Sequence, residues 1–166
     1  ELHNHLDGSL RLETIIELAK KFDIKLPTYT KSDLETLMVK DENCQSLSEY
    51  FIPFEISLSV LQNEEALERV TFELLQDVYK ENVKYLEIRF SPLLHTFKGL
   101  TLEQVLNAVL KGKKQAEAAF KIKSGIIVCG LRQNTAEQNL EMAQLAVRFK
   151  SKGVVAFDLA GEEYGN

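Results

Sequence analysis

Near the start of the chain, "ELHNHLDGSL" places His3, His5 and Asp7 at every second position. On a β-strand, side chains alternate faces, so these three project to one side while Leu2, Asn4 and Leu6 project to the other. Two imidazoles spaced this way stand about 7 Å apart along the chain and can lean onto a single metal ion. Zinc takes three or four such ligands and keeps one position for water when the site is catalytic, so two histidines make only part of a centre. The pattern is short, and it reads equally well as two polar residues near a strand end.

Other residues carry weaker signals. Along "KYLEIRFS", Tyr85, Glu87, Arg89 and Ser91 share one face and Leu86, Ile88 and Phe90 the other. Glu87 and Arg89 read as an inward ion pair or hydrogen-bond network. Asp158, in "GVVAFDLAG", suits either a carboxylate that orients a metal-bound histidine or a satisfied interior residue. His95 follows Pro92 and reads as a solvated loop residue, and Cys129, inside "GIIVCGL", reads as a small hydrophobe.

The elements that must position these residues alternate between strand and helix. After the opening strand, Ser9 is placed to cap a helix carrying Leu12, Ile15, Ile16, Ala19 and Phe22 and ending near Pro27. Residues 28–62 form an insertion, with a short helical pattern near Leu34–Val39 and an apolar, aromatic stretch interrupted by Pro53. A long amphipathic helix follows from Glu64 to about Lys80. The second strand stops at Pro92. Thr101 with Gln104, and Thr135 with Gln138, make capping boxes for the helices that precede the third and fourth strands. Such alternation gives an α/β fold of parallel strands joined by right-handed crossovers. An open doubly wound sheet and a closed barrel both fit, and the polar face of the first two strands favours a barrel whose interior opens at a C-terminal mouth.

Composition narrows the function classes. A chain of 166 residues, 45% hydrophobic and 27% charged, is that of an ordinary globular domain. A net charge of -5 with scattered Lys and Arg offers no patch for nucleic acid. No run reaches the length of a membrane span. Cys44 and Cys129 lie far apart and read as free thiols of a cytoplasmic protein. No strand is followed by GxGxxG or GxxxxGK[ST], which disfavours Rossmann and P-loop nucleotide binding.

Read together, "HNHLDG", "YLEIRFSP", "GLR" and "DLAGEE", in that order, resemble the adenosine deaminase family of metal-dependent amidohydrolase barrels. The resemblance spans essentially the whole chain. It implies a Zn2+ cofactor held by His3 and His5, with Asp7 meeting the ribose of a purine nucleoside and the backbone N–H of Gly161 meeting the purine ring. It also implies that Leu47, Tyr50, Phe51 and Phe54 form an apolar wall over the substrate. On residues alone, that stretch is ordinary core. Family members continue through four more strands with a third zinc-binding histidine, a catalytic glutamate, a further histidine and a zinc-binding aspartate. Nothing in these 166 residues reads as HxxE, so the catalytic residues are expected after Asn166. Residues 1–166 are therefore expected to be the first half of a (β/α)8 TIM-type barrel, strands one to four with a helical insertion after the first.

The implied reaction is hydrolytic deamination of adenosine, and of 2′-deoxyadenosine, to inosine and ammonia, a step of purine metabolism. Three alternatives accompany it. One is a deaminase of adenine or adenosine monophosphate. Another is an HxH phosphoesterase of the polymerase-and-histidinol-phosphatase type, although Asp7 and Gly8 come too early for its motif. The third is an inactive half-barrel that associates with itself or with the missing C-terminal half, since four strands leave open edges.

Overall fold

The computed structural model describes residues 1–39 and 47–161, the side chains of 47–51 excepted. The chain alternates as expected: β1 (Asn4–His5), α1 (Leu12–Lys21), α2 (Lys31–Met38), α3 (Leu47–Val60), α4 (Glu64–Lys80), β2 (Tyr85–Phe90), α5 (Leu102–Ala119), β3 (Lys123–Leu131), α6 (Ala136–Arg148) and β4 (Val154–Ala160). A 3₁₀ turn over Pro92–His95 follows β2. All strand pairs are parallel and the spatial order is β1-β2-β3-β4. This is the architecture of the first half of a (β/α)8 barrel.

Local chemistry explains the helix starts. Asn63 caps α4 by accepting the Ala66 N–H at 2.9 Å. Thr101 and Thr135 form the two reciprocal capping boxes with Gln104 and Gln138. The outward faces of β2 and β3, with Leu86, Ile88, Ile126 and Val128, have no exposed surface. They join Leu67, Val70 and Leu75 of α4 and Val105, Leu106 and Val109 of α5 in one core. Each such side chain contributes about 1.5–3 kcal/mol by leaving water.

Three local expectations are corrected. Ser9 does not cap α1: Arg11 occupies that position without a side-chain cap, and the Ser9 hydroxyl instead lies 2.6 Å from the His5 carbonyl. Helix α1 stops at Lys21, well before Pro27, where Asp23 takes a left-handed φ of 52°. Pro53 does not interrupt α3, which runs on through it from Leu47 to Val60. The missing N–H and the ring of an interior proline weaken a helix without forbidding it when tertiary packing holds both sides. Here Ile56 and Val60, beyond the proline, are buried in the core.

The register between β3 and β4 shifts once. Ile126 pairs with Val154 but Ile127 pairs with Ala156, so Val155 is an extra residue in β4. Downstream of it, Cys129 stands beside Asp158. A Cβ on Gly125 would come within 2.5 Å of a Val155 methyl, so only glycine leaves room for the bulge. No helix among the described residues is long and apolar enough to cross a membrane.

Candidate metal and substrate site

The site begins on a strand of two residues. Asn4 pairs with Ile88 and His5 with Arg89, and the Leu6 N–H extends the ladder by donating to the Arg89 carbonyl at 3.1 Å. Leu6 is fully buried on the core side. Its burial fixes the phase of the alternation and turns His3, His5 and Asp7 the other way. The Ser9 hydroxyl, between the His5 carbonyl and Asn4 Oδ1 at 3.0 Å, ties the loop after β1 back onto the strand.

The two imidazoles converge. Their Nε2 atoms are 3.2 Å apart and their rings are tilted by 41°. Two nitrogens about 2.0–2.1 Å from a tetrahedral zinc ion would be separated by roughly 3.3 Å, so the pair fits a shared metal. Among the described residues no cluster of three or more His, Cys, Asp or Glu side chains could hold a metal, so the pair could offer at most two of the three or four ligands a zinc site takes.

Arg89 lies against both histidines. One terminal nitrogen is 2.5 Å from His3 Nε2 and 3.4 Å from His5 Nε2. Its other terminal nitrogen is 2.7 Å from Asp158 Oδ2, and its Nε donates to Cys129 Sγ at 3.4 Å. A guanidinium only donates, so His3 Nε2 accepts through its lone pair, the one a metal ligand would use. Burial holds the His5 imidazole below its ordinary pKa, and the Arg89 and His3 charges act in the same direction, against the opposing pull of Asp158.

The expected Glu87–Arg89 ion pair does not form. Glu87 instead accepts the Tyr85 hydroxyl at 2.8 Å, while Arg89 reaches past β3 to Asp158. Of the two roles open to Asp158, the structure gives it this pairing with Arg89. Cys129 is 2% exposed, as a small hydrophobe would be, but it also accepts from the guanidinium, a contact that its place in an apolar strand does not reveal.

Asp7 is 7% exposed and its Oδ1 has no hydrogen-bond partner in the protein. Burial raises its pKa, opposed by its own backbone N–H and by Arg89. Ser91, the next residue after the β2 strand, is likewise buried with an unpartnered hydroxyl. The alternation of "YLEIRFS" marks it as inward, but nothing in the sequence marks it as unpartnered. Phe54 reaches this corner from α3: a Cβ on Gly8 would lie 4.0 Å from its ring. The side chains of Leu47, Tyr50 and Phe51 lie outside the described residues. Gly161 stands apart at the end of β4, separated from β1 by two strands, with a φ of 98° that favours glycine.

His95 overturns its expectation as a solvated residue. It has no exposed surface, packs on Phe90 with ring centroids 5.6 Å apart, and lies with Nδ1 3.0 Å from the Leu61 carbonyl. Desolvation lowers its pKa to about 4. The 3₁₀ turn over Pro92–His95 brings the ring to the Leu61 carbonyl just past the end of α3, a change of direction that residue types alone do not announce.

The family profile described as Adenosine deaminase matches residues 1–166. An adenosine deaminase of Clostridium perfringens is 48% identical over 166 residues, which is 100% of this chain and 50% of that protein. The adenine deaminase of Arthrobacter aurescens superposes with a TM-score of 0.84 at 27% identity, covering 100% of this chain and 49% of that one. The Arabidopsis N6-mAMP deaminase does so with a TM-score of 0.79 at 29% identity, covering 97% and 49%. The chain thus spans about half the length of most of the curated relatives it matches. With the motif residues of β1, β2 and β4 assembled on one sheet and the profile matched from end to end, the chain belongs to the adenosine deaminase family.

Proposed function

We propose that the whole protein is a zinc-dependent hydrolase that deaminates adenosine and 2′-deoxyadenosine to inosine and ammonia, with residues 1–166 forming the N-terminal half of one barrel domain. The observation that carries the substrate is Asp7, a carboxyl buried beside the histidine pair with an unpartnered oxygen. A group so placed accepts a hydrogen bond from a ligand hydroxyl and repels a phosphate. The 48% identity to a protein named adenosine deaminase supports the same choice.

His3 and His5 hold the metal through Nε2. Zinc bound there supplies a water acidified toward neutral pH. Arg89 stays paired with Asp158. Asp7 takes a sugar hydroxyl, and Phe54, with Leu47, Tyr50 and Phe51, walls the substrate from bulk water. The Gly161 backbone N–H meets the purine ring. The flank formed by Phe157 and Leu159 of β4 and Leu140 and Val147 of α6 is between 41% and 74% exposed, and we assign it to contact with the remainder of the barrel.

A nucleotide substrate is the second reading, favoured by the likeness to an N6-mAMP deaminase. Steady-state turnover by the whole protein separates the two. Adenosine should exceed its 5′-monophosphate at least about tenfold in kcat/KM, and Asp7→Ala should remove roughly that preference while leaving zinc content unchanged. Equal turnover of both substrates by the unaltered protein overturns the nucleoside assignment.

A further inference from the structure

Three nitrogens of Arg89 face three different partners. One terminal nitrogen meets the histidine pair, the other meets Asp158, and Nε meets Cys129 Sγ. The guanidinium is buried, with 8% of its side chain accessible, so these partners are what compensate its charge. The terminal nitrogen facing the histidines lies against the same two Nε2 atoms that converge at 3.2 Å. A guanidinium has no lone pair to give a metal. An N–H that donates to His3 Nε2 therefore competes with a metal for the same lone pair, and its positive charge opposes a second cation at that point.

We propose that Arg89 holds the metal's place: its guanidinium occupies the lone pairs of His3 and His5 before the metal arrives, and Asp158 with Cys129 forms the seat that retains it when it yields. The proposal rests on His3 and His5 being metal ligands. The exchange gives up only the contacts to the two imidazoles. The ion pair to Asp158 at 2.7 Å and the contact to Cys129 at 3.4 Å lie on its other nitrogens and can persist. Arg89 keeps all its protons in this exchange, and only its acceptor changes.

Two substitutions should then act in opposite directions on zinc affinity. Arg89→Met removes the competitor and should tighten zinc binding about tenfold, whereas Asp158→Asn loosens the retaining seat and should weaken it about tenfold. The measurement is competition for Zn2+ between the metal-free whole protein and a chromophoric chelator, with circular dichroism to verify folding and His3→Ala and His5→Ala as controls. If Arg89 served only to hold the fold, both variants would bind zinc more weakly, and that result overturns the proposal. Should Arg89→Met fail to fold, Arg89→Gln, which also removes the competing charge, takes its place: tighter binding supports the proposal, and unchanged or weaker binding overturns it. Zinc affinity that neither histidine control alters overturns the ligand reading itself, an outcome distinct from failure of the Arg89 role.

Discussion

The histidines of β1 and the histidine behind β2 share a residue type and nothing else. His3 and His5 turn Nε2 toward a common point at the rim of the sheet, where Arg89 brings positive charge to them. His95 is sealed in the core with Nδ1 facing the Leu61 carbonyl. A carbonyl only accepts, so Nδ1 carries the proton and Nε2 keeps a buried lone pair without a partner. A second proton there would place an uncompensated charge in the core, which is why the ring titrates at about 4. What a histidine can do is thus decided by where its second nitrogen is sent, and that depends on the packing around it more than on the loop or strand that bears it.

The largest effect that would break this comparison is at the rim. His3→Ala or His5→Ala in the whole protein should abolish bound zinc and deamination together, a loss well beyond the roughly 10–100-fold typical of residues that merely support a ligand. Metal analysis that finds normal zinc in both variants refutes the assignment.

Next comes acid stability, to which the sealed His95 ring contributes. The folded ring accepts a proton near pH 4 and the unfolded one near 6.5, so as pH falls through that window the unfolded state binds more protons and stability drops. The span between those values corresponds to about 3 kcal/mol, lost by the time the pH reaches 4. His95→Gln cannot titrate there. Denaturant melts of both proteins from pH 7 to pH 4 should show the unaltered protein losing that much more, and parallel curves would contradict the buried neutral ring.

The smallest effect sharpens how the rim is held. Ser9→Ala removes the hydroxyl that bridges His5 and Asn4 and should cost about 1 kcal/mol in stability, read from the denaturation midpoint. No change would place the hold on β1 in its ladder with β2 alone.

The pattern that could be read from sequence was the pattern written locally. Strict alternation in "YLEIRF", the two Thr–Gln capping boxes and the apolar phase of α4 each depend on residues within one turn or one strand, and each element stands where they indicate. The placement of His3, His5 and Asp7 on one face follows from the same period-two logic, anchored by the burial of Leu6. What sequence could not supply were partners chosen across the sheet. Glu87 and Arg89 are near in sequence and opposite in charge, yet Tyr85 takes one and Asp158 the other. His95 departs from its loop-like sequence signal for a related reason: the Leu61 carbonyl that holds it lies 34 positions earlier in the chain. Pro53 fails as a helix stop because the core on the far side of it outweighs the lost backbone bond.

The extra residue at Val155 carries a longer consequence. If β4 ran without that bulge, each later residue would slip one place, so Phe157 would stand beside Cys129 and Asp158 would turn outward toward the helices. The electrical partner of Arg89 is therefore encoded as much by a count as by a letter. In evolutionary terms, a single-codon insertion or deletion between Gly153 and Asp158 would rewrite the interior while leaving every motif residue spelled as before. A position-by-position comparison of residue identities would pass such a change as conservative, and only Gly125, which leaves room for the bulged valine, would still testify to the phase that was lost.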